Sequence, residues 1–266
     1  MALIRKLPIS WIRTLVLISY SPQIAEWVIG TWLMINHHFL DYAEHQKKGT
    51  FAPLGHLFAR DSPNLRMGIL GYGAIGRQCA KLGRALGMEV YAYTRTERST
   101  PESRKDDSYC VAGTGDPDGL IPAKWFHGSS KEAVNEFLGQ DLDMLVLSLP
   151  LTAATTHIIG REQLDILAKK KTFVSNIARG KHIDQDALFA ALQEGKIRGA
   201  ALDVTDPDPL PDGHPLFTAP NVFITPHVSW QTPQIFSRIQ GILEKNLENL
   251  TKGAPLINEM NREHHY

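Results

Sequence analysis

The stretch Met67-Gly-Ile-Leu-Gly-Tyr-Gly-Ala-Ile-Gly-Arg77 decides how the rest of the chain reads. A short apolar run, Met67–Leu70, leads straight into Gly71-x-Gly73-x-x-Gly76, and an amphipathic run, Arg77–Leu86, leaves it. A strand entering and a helix leaving glycines at this spacing form a phosphate-holding turn. The first glycine permits the tight turn, the second lets backbone approach a pyrophosphate, and the third lets helix and strand pack closely. The N–H groups that open the helix, at Ala74 and Ile75, add partial positive charge. A dinucleotide is therefore expected against Gly71, Gly73, Ala74, Ile75 and Gly76.

Outward from this turn, residues 63–228 repeat the pattern. Val90–Tyr93, Met144–Leu149, Thr172–Ile177, Ala200–Val204 and Val222–Thr225 are short apolar runs without polar alternation, as strands buried on both faces read. Amphipathic stretches, Gly160–Ala168 and Asp184–Glu194 among them, lie between. Strand–helix alternation predicts an α/β protein with a doubly wound parallel sheet. Ser99–Gly128, rich in Pro, Gly, Asp and Ser, reads as a surface insertion. Asp206–Pro220, with five prolines, reads as a fixed, extended loop. Pro22–Lys48 reads as one long helix with Ile24, Val28, Trp32, Ile35 and Phe39 near one face. Ile235–Leu250 is a second helix. Both lie outside the sheet pattern, where they pack together or cover a neighbouring lobe. Trp27, Trp32, Phe39 and Tyr42 read as packing residues.

The second run continues as Tyr93-Thr-Arg-Thr-Glu-Arg98. A unit selective for NAD places an acid about 20 residues beyond the glycines to hold the ribose 2′-hydroxyl. Here Thr94 and Arg95 stand in that place. Arg95, with Thr94, Thr96 or Arg98 assisting, suits a 2′-phosphate. NADP(H) is therefore expected over NAD(H), with NAD(H) as the alternative.

Composition limits the other readings. The 266 residues are 43% hydrophobic, 21% charged and 8% aromatic, and 28 basic residues balance 28 acidic ones. A zero balance gives no support for a nucleic-acid or anionic-membrane binder. No apolar run reaches the roughly 18 residues of a membrane span. Cys79 and Cys110 make no disulfide framework or metal spacing, so a reducing, cytoplasmic setting is the default. Met1–Ser19, basic and without acids, faintly resembles a targeting segment. Adjacent His37 and His38 fall on different helix faces and suit no shared metal, and Glu263-His-His-Tyr266 reads as a frayed end.

Three segments in the second half carry chemistry: Val174-Ser-Asn-Ile-Ala-Arg-Gly180, Gly199–Pro211 with Asp203, Asp206 and Asp208, and Val222-Phe-Ile-Thr-Pro-His-Val-Ser-Trp230. Arg179, Asp208 and His227 each fall just past the carboxyl end of an expected strand, where such sheets hold ligands. With the glycine turn, Ser148-Leu-Pro-Leu-Thr152, Asn176-Ile-Ala-Arg-Gly180, Ala201-Leu-Asp-Val204, Pro207-Asp-Pro-Leu210 and Thr225-Pro-His227, the chain resembles the D-isomer-specific 2-hydroxyacid dehydrogenases from about Pro22 to near its C-terminus.

The resemblance implies a Rossmann sheet and hydride transfer between a nicotinamide cofactor and a small 2-keto or 2-hydroxy acid, glyoxylate- or hydroxypyruvate-like. Arg179 would bind substrate and polarise its carbonyl. His227 would be the acid/base. Asp208, or Asp206 beside it, would hold the imidazole, one methylene shorter than the family's usual Glu. Asp203 would meet the nicotinamide amide, and Leu149, Pro150, Ile177, Ala178 and Ser229 would line the cofactor.

Residues 62–231 are then the cofactor domain, residues 1–61 a remnant of a truncated substrate lobe, and residues 232–266 a helix packing back on that remnant. Exposed apolar helix faces and the family's dimer region, near 22–46, point to a homodimer. A weakly active or inactive dinucleotide-binding chain is the competing expectation. NAD-dependent phosphoglycerate oxidation is disfavoured by Thr94.

Overall fold

A computed structural model describes residues 20–257 apart from 54, 56 and 57. The readings of Met1–Ser19 and Glu263–Tyr266 lie outside the described residues. Seven strands form one sheet: β1 (Arg66–Leu70), β2 (Glu89–Thr94), β3 (Lys124–His127), β4 (Met144–Leu147), β5 (Phe173–Asn176), β6 (Gly199–Leu202) and β7 (Val222–Ile224). Their order is β3-β2-β1-β4-β5-β6-β7, every pair parallel. The helices are α1 (Ser21–Asn36), α2 (Phe39–Lys47), α3 (Ala74–Ala85), α4 (Pro101–Arg104), α5 (Lys131–Leu138), α6 (Arg161–Ala168), α7 (Gln185–Gln193) and α8 (Gln234–Lys252). This is the doubly wound parallel sheet expected from the sequence. Strand order reverses between β1 and β4, which opens a crevice at the carboxyl ends.

Successive strand side chains point to opposite faces, so the apolar runs feed two cores. Met67, Ile69, Val90, Ala92, Met144 and Val146 enter one, covered by α1 and α3. Leu70, Tyr91, Tyr93, Leu145 and Leu147 enter the other, covered by α5, α6 and α7. Cys79 of α3 sits in the first core, where burial pushes its thiol up to about 12.

Three segments differ from the sequence reading. The expected long helix breaks at His37–His38, where His38 takes φ +56°. Phe39 therefore leaves the face of Ile24, Val28 and Trp32 and is 56% exposed, and Tyr42 is exposed too. Nor does α1 lie outside the sheet. Ala25, Val28 and Trp32 are fully buried against α3 and the strands; the Trp32 ring lies edge-on to Phe173 at 5.7 Å and its indole N–H donates to Ser62 Oγ at 2.9 Å. Side chains buried this way contribute on the order of 2 kcal/mol each. Physically α1 belongs to the core of the sheet.

The second difference is inside 99–128, read as a surface insertion. It ends in β3, which pairs with Tyr91–Thr94 at the sheet edge. Lys124 and His127 bracket just two aromatic residues, so the strand leaves no apolar run to read. The preceding loop is pinned. Buried Asp116 accepts from the Tyr72 hydroxyl at 2.8 Å and from the amides of Leu120 and Ile121 at 3.0 and 3.1 Å. Buried Arg77 donates to the carbonyls of Asp116 and Arg104 and pairs with Asp106 at 3.1 Å. Burial raises the Tyr72 pKa, so its hydroxyl remains a donor. The third difference is a 3₁₀ turn, Pro215–Thr218, within the proline-rich loop.

At its start α8 meets α1. Arg238 Nη1 donates to Gln23 Oε1 at 2.9 Å, and Gln23 Nε2 donates to the Trp230 carbonyl at 2.8 Å. Elsewhere α8 leaves Phe236, Leu243, Leu247 and Leu250 exposed. No described helix is long and apolar enough to cross a membrane.

Candidate active site

The glycine turn follows β1 at the reversal of strand order. Gly71 takes φ +103°, and a Cβ there would lie 2.8 Å from the backbone of Ser148 and Leu149 beyond β4. A Cβ on Gly76 would lie 2.3 Å from the Gly71 carbonyl, which also accepts from Ser148 Oγ at 2.6 Å. Gly73, by contrast, has nothing within 4 Å of its Cβ position. Two glycines are thus filled by protein and the middle one faces open space. The first turn of α3 has no side-chain cap and no acidic residue, so the opening N–H groups of Ala74, Ile75 and Gly76 have no helical partner. These residues fit a pyrophosphate.

Thr94 closes β2 and Arg95 comes next, on an exposed turn. Thr94 Oγ1 donates to the Thr96 carbonyl at 2.7 Å. Arg98 donates to the Ser103 carbonyl, and Arg104 Nε donates to the Arg98 carbonyl at 2.8 Å. The turn beyond β2 therefore carries arginines and no carboxylate before Glu97.

The other expected residues lie past the carboxyl ends of the remaining strands: Leu149 and Pro150 past β4, Ile177, Ala178 and Arg179 past β5, Asp203 and Asp208 past β6, His227 and Ser229 past β7. His227 Nδ1 and Asp208 Oδ2 stand 2.8 Å apart, with the two side chains 40% and 37% exposed. Asp206 does not meet His227 among the described contacts. Its backbone N–H and carbonyl are both taken by the Gln185 side-chain amide, at 3.1 and 2.9 Å. Arg179 reaches this neighbourhood through Gly180, whose Cβ would fall 1.9 Å from the Thr205 carbonyl. The turn after β5 thus lies directly on the segment that leads to Asp208.

His227 itself sits at φ +56°, uncommon for a residue with a Cβ. Bonds to the residues around it hold it there. Asp203 Oδ1 accepts from Thr225 Oγ1 at 2.6 Å and from the Val228 amide at 2.9 Å; Oδ2 accepts from the Ser229 amide at 3.0 Å and from Ser229 Oγ. Trp230 Nε1 donates to the His227 carbonyl at 2.8 Å. Four donors fill the usual acceptor sites of a carboxylate. The sequence reading places Asp203 at the nicotinamide amide. In the structure this buried carboxylate grips the His227 loop, because the Thr225 and Ser229 side chains and two backbone amides converge on it.

Sequence reasoning also missed Gln185 and His182, which brace the turns carrying Asp208 and Arg179. Both come within five residues of Arg-Gly180. Nothing in their spacing marks them, because their partners are backbone groups, those of Pro150 and Asp206 in distant segments.

The sequence pattern of "D-isomer specific 2-hydroxyacid dehydrogenase, NAD binding domain" matches residues 29–113 and 122–229. The chain is 34% identical over 197 residues to the D-3-phosphoglycerate dehydrogenase of Methanocaldococcus jannaschii, covering 73% of this chain and 33% of that protein. It is 30% identical over 244 residues to the glyoxylate/hydroxypyruvate reductase A of Salmonella newport, covering 92% of this chain and 69% of that one. A crystal structure of a D-isomer specific 2-hydroxyacid dehydrogenase from Xanthobacter autotrophicus Py2 in complex with NADPH and MES superposes with a TM-score of 0.72 at 27% identity, covering 93% of this chain and 90% of that one. The chain spans from a third to about two thirds of the length of the curated relatives it matches. By this match across most of its length and by its seven-stranded parallel sheet, the chain belongs to the D-isomer-specific 2-hydroxyacid dehydrogenase family, through that family's NAD-binding domain.

Proposed function

We propose that this chain is an oxidoreductase that moves a hydride between NADP(H) and a small 2-keto/2-hydroxy acid of the glyoxylate or hydroxypyruvate kind. The observation that carries the reading is the His227–Asp208 pair at 2.8 Å, held beside the Arg179 turn at the carboxyl ends of β5–β7. When bound, the nicotinamide supplies or accepts the hydride. Asp208 accepts a hydrogen bond from His227 Nδ1–H, which orients the ring and leaves Nε2 to give a proton to the substrate oxygen during reduction or to take one during oxidation. Arg179 binds the carboxylate and the carbonyl oxygen of the acid and stabilises charge on that oxygen. Leu149, Pro150, Ile177, Ala178 and Ser229 line the cofactor side. Thr94 and Arg95 favour a 2′-phosphate over a bare ribose. A relative named glyoxylate/hydroxypyruvate reductase A and a related structure holding NADPH support both the substrate class and the cofactor.

The test is loss of NADPH absorbance when the purified, folded chain meets hydroxypyruvate or glyoxylate. Turnover in the wild type that disappears in His227→Ala supports the reading; equal rates in the two overturn it. Arg95→Asp tests the cofactor: NADPH binding should weaken about tenfold while NADH binding holds or improves, and an unchanged ratio ends the NADP(H) assignment.

One observation favours a second reading. The acid/base pair is more than a third exposed, whereas hydride transfer is served by a site closed to water. A chain that binds NADPH tightly and turns over slowly would show full cofactor binding in the same assay with little absorbance loss. We also propose a homodimer, since Phe39, Leu40 and Tyr42 of α2 are exposed, and a reducing, cytoplasmic setting for Cys79 and Cys110. Sizing by light scattering checks the first.

A further inference from the structure

His182 has no place in the chemistry above, yet it is fully buried between two parts of the site. It closes the 3₁₀ turn Gly180–His182 that comes after Arg179. Both ring nitrogens face backbone carbonyls: Nδ1 lies 3.1 Å from the Arg179 carbonyl, and Nε2 lies 3.3 Å from the Pro150 carbonyl beyond β4. The Arg179 carbonyl also accepts from Asn176 Nδ2 at 3.0 Å and from the His182 amide at 3.2 Å. The Pro150 carbonyl also accepts from Thr155 Oγ1 at 2.9 Å. One ring therefore spans the peptide that carries the candidate substrate-binding guanidinium and the loop that carries candidate cofactor contacts.

The ring's protonation is set by its surroundings. Burial, the largest cause, lowers its pKa and the Arg179 charge adds to this, against the two carbonyls. Of the segments around it, 148–152 brings no charge, 155–159 brings His157, and 176–184 brings Arg179, Lys181 and Asp184. The Asp184 carboxylate is used to cap α7 through the Ala187 amide. A neutral imidazole has one N–H to donate. Placed on Nδ1, the shorter of the two contacts, it reaches the Arg179 carbonyl.

We propose that His182 is a positioning residue for Arg179: its Nδ1–H fixes the Arg179 peptide, and its ring, wedged against Pro150, sets that peptide's place relative to the cofactor loop. The proposal rests on the reading of Arg179 as the substrate-binding residue. His182 touches neither substrate nor cofactor itself, so its removal should raise the KM for the keto acid while leaving NADPH binding alone.

Three variants separate this role from plain packing. Asparagine places an amide N–H where Nδ1 stands, glutamine reaches the place of Nε2, and leucine does neither. His182→Leu should raise the KM for hydroxypyruvate about tenfold or more, with the NADPH Kd, read by fluorescence, within twofold of wild type. His182→Asn should return KM to within about threefold, and His182→Gln should not. The proposal is overturned if His182→Leu leaves KM unchanged, if Asn fails to rescue while Tm falls equally in all three variants, or if Gln rescues instead of Asn.

Should the wild type turn over no keto acid, the functional reading fails by itself and a second measurement decides the role of His182. Hydrogen exchange across 176–183 should speed up at least tenfold in His182→Leu and stay near wild type in His182→Asn. Equal protection in both variants would refute the positioning role.

Discussion

The two halves of the crevice are built in opposite ways. On the β1–α3 side, backbone contacts backbone: Gly71 against Ser148 and Leu149, Gly76 against Gly71, and a bare helix start. On the β5–β7 side, the working groups are side chains at loop ends, partly open to water, and Asp203, Gln185, Trp230 and His182 hold the loops that carry them. At Gly71 and Gly76 the first half tolerates no added atom. The second keeps its fold when its surface changes and depends for that fold on the contacts that hold its loops. Steric fit is absolute over a fraction of an ångström, whereas a solvent-exposed ion pair contributes about 0–1 kcal/mol.

The comparison can be broken most severely at the tight half. Gly76→Ala sets a methyl 2.3 Å from a backbone carbonyl that cannot yield without moving the turn. Overpacking of this kind costs about 1–3 kcal/mol in stability. NADPH binding should fall by roughly 100-fold or more, since the backbone that receives the phosphates moves with the turn; calorimetry and fluorescence titration read both losses. Retained binding would mean that the glycine turn holds no phosphate.

The looser half is sharpened by separating its two partners. His227→Ala should lower kcat by about 10²–10⁴-fold with NADPH Kd unchanged. Asp208→Asn, which removes one member of an exposed pair, should cost at most about fivefold. If Asp208→Asn proves as damaging as His227→Ala, then the exposed pair is shielded from water during turnover, by a partner or a closed state.

The smallest effect lies under that half. His182 is held below its ordinary pKa by burial, so the folded chain resists protonating it. Its stabilising contribution is present in full above the unfolded pKa of about 6.5 and is lost as pH falls from there toward the folded value. Between pH 7.5 and 5.5, Tm should fall a few degrees further in the wild type than in His182→Asn. Equal falls would show that His182 does not titrate on unfolding.

The difference between the halves also explains what could be read in advance. The β1 turn, the strands from β1 to β7 except β3, and the helices α3, α6 and α7 are legible because each is fixed by local pattern: runs buried on both faces, amphipathic stretches and glycines at steric minimum spacing. β3 was not legible, because an edge strand of four residues needs little apolar surface. Nor was the helix break at His38, since polar histidines sit as well in a continued helix as at its end.

For the site, residue types and their order at the strand ends belong to the sequence, and they identify the family. The tertiary structure alone decided that Asp208 rather than Asp206 meets His227, because Gln185 engages the Asp206 backbone. It decided that Asp203 serves the His227 loop, because four donors from past β7 converge on it. It also decided that α1 caps the sheet instead of reaching beyond it. The physical reason is range. Strands, turns and helix starts are set by contacts within a few residues, which a sequence displays directly. These partners of a carboxylate or an imidazole come from segments 19 to 32 residues away, and packing alone chooses among them.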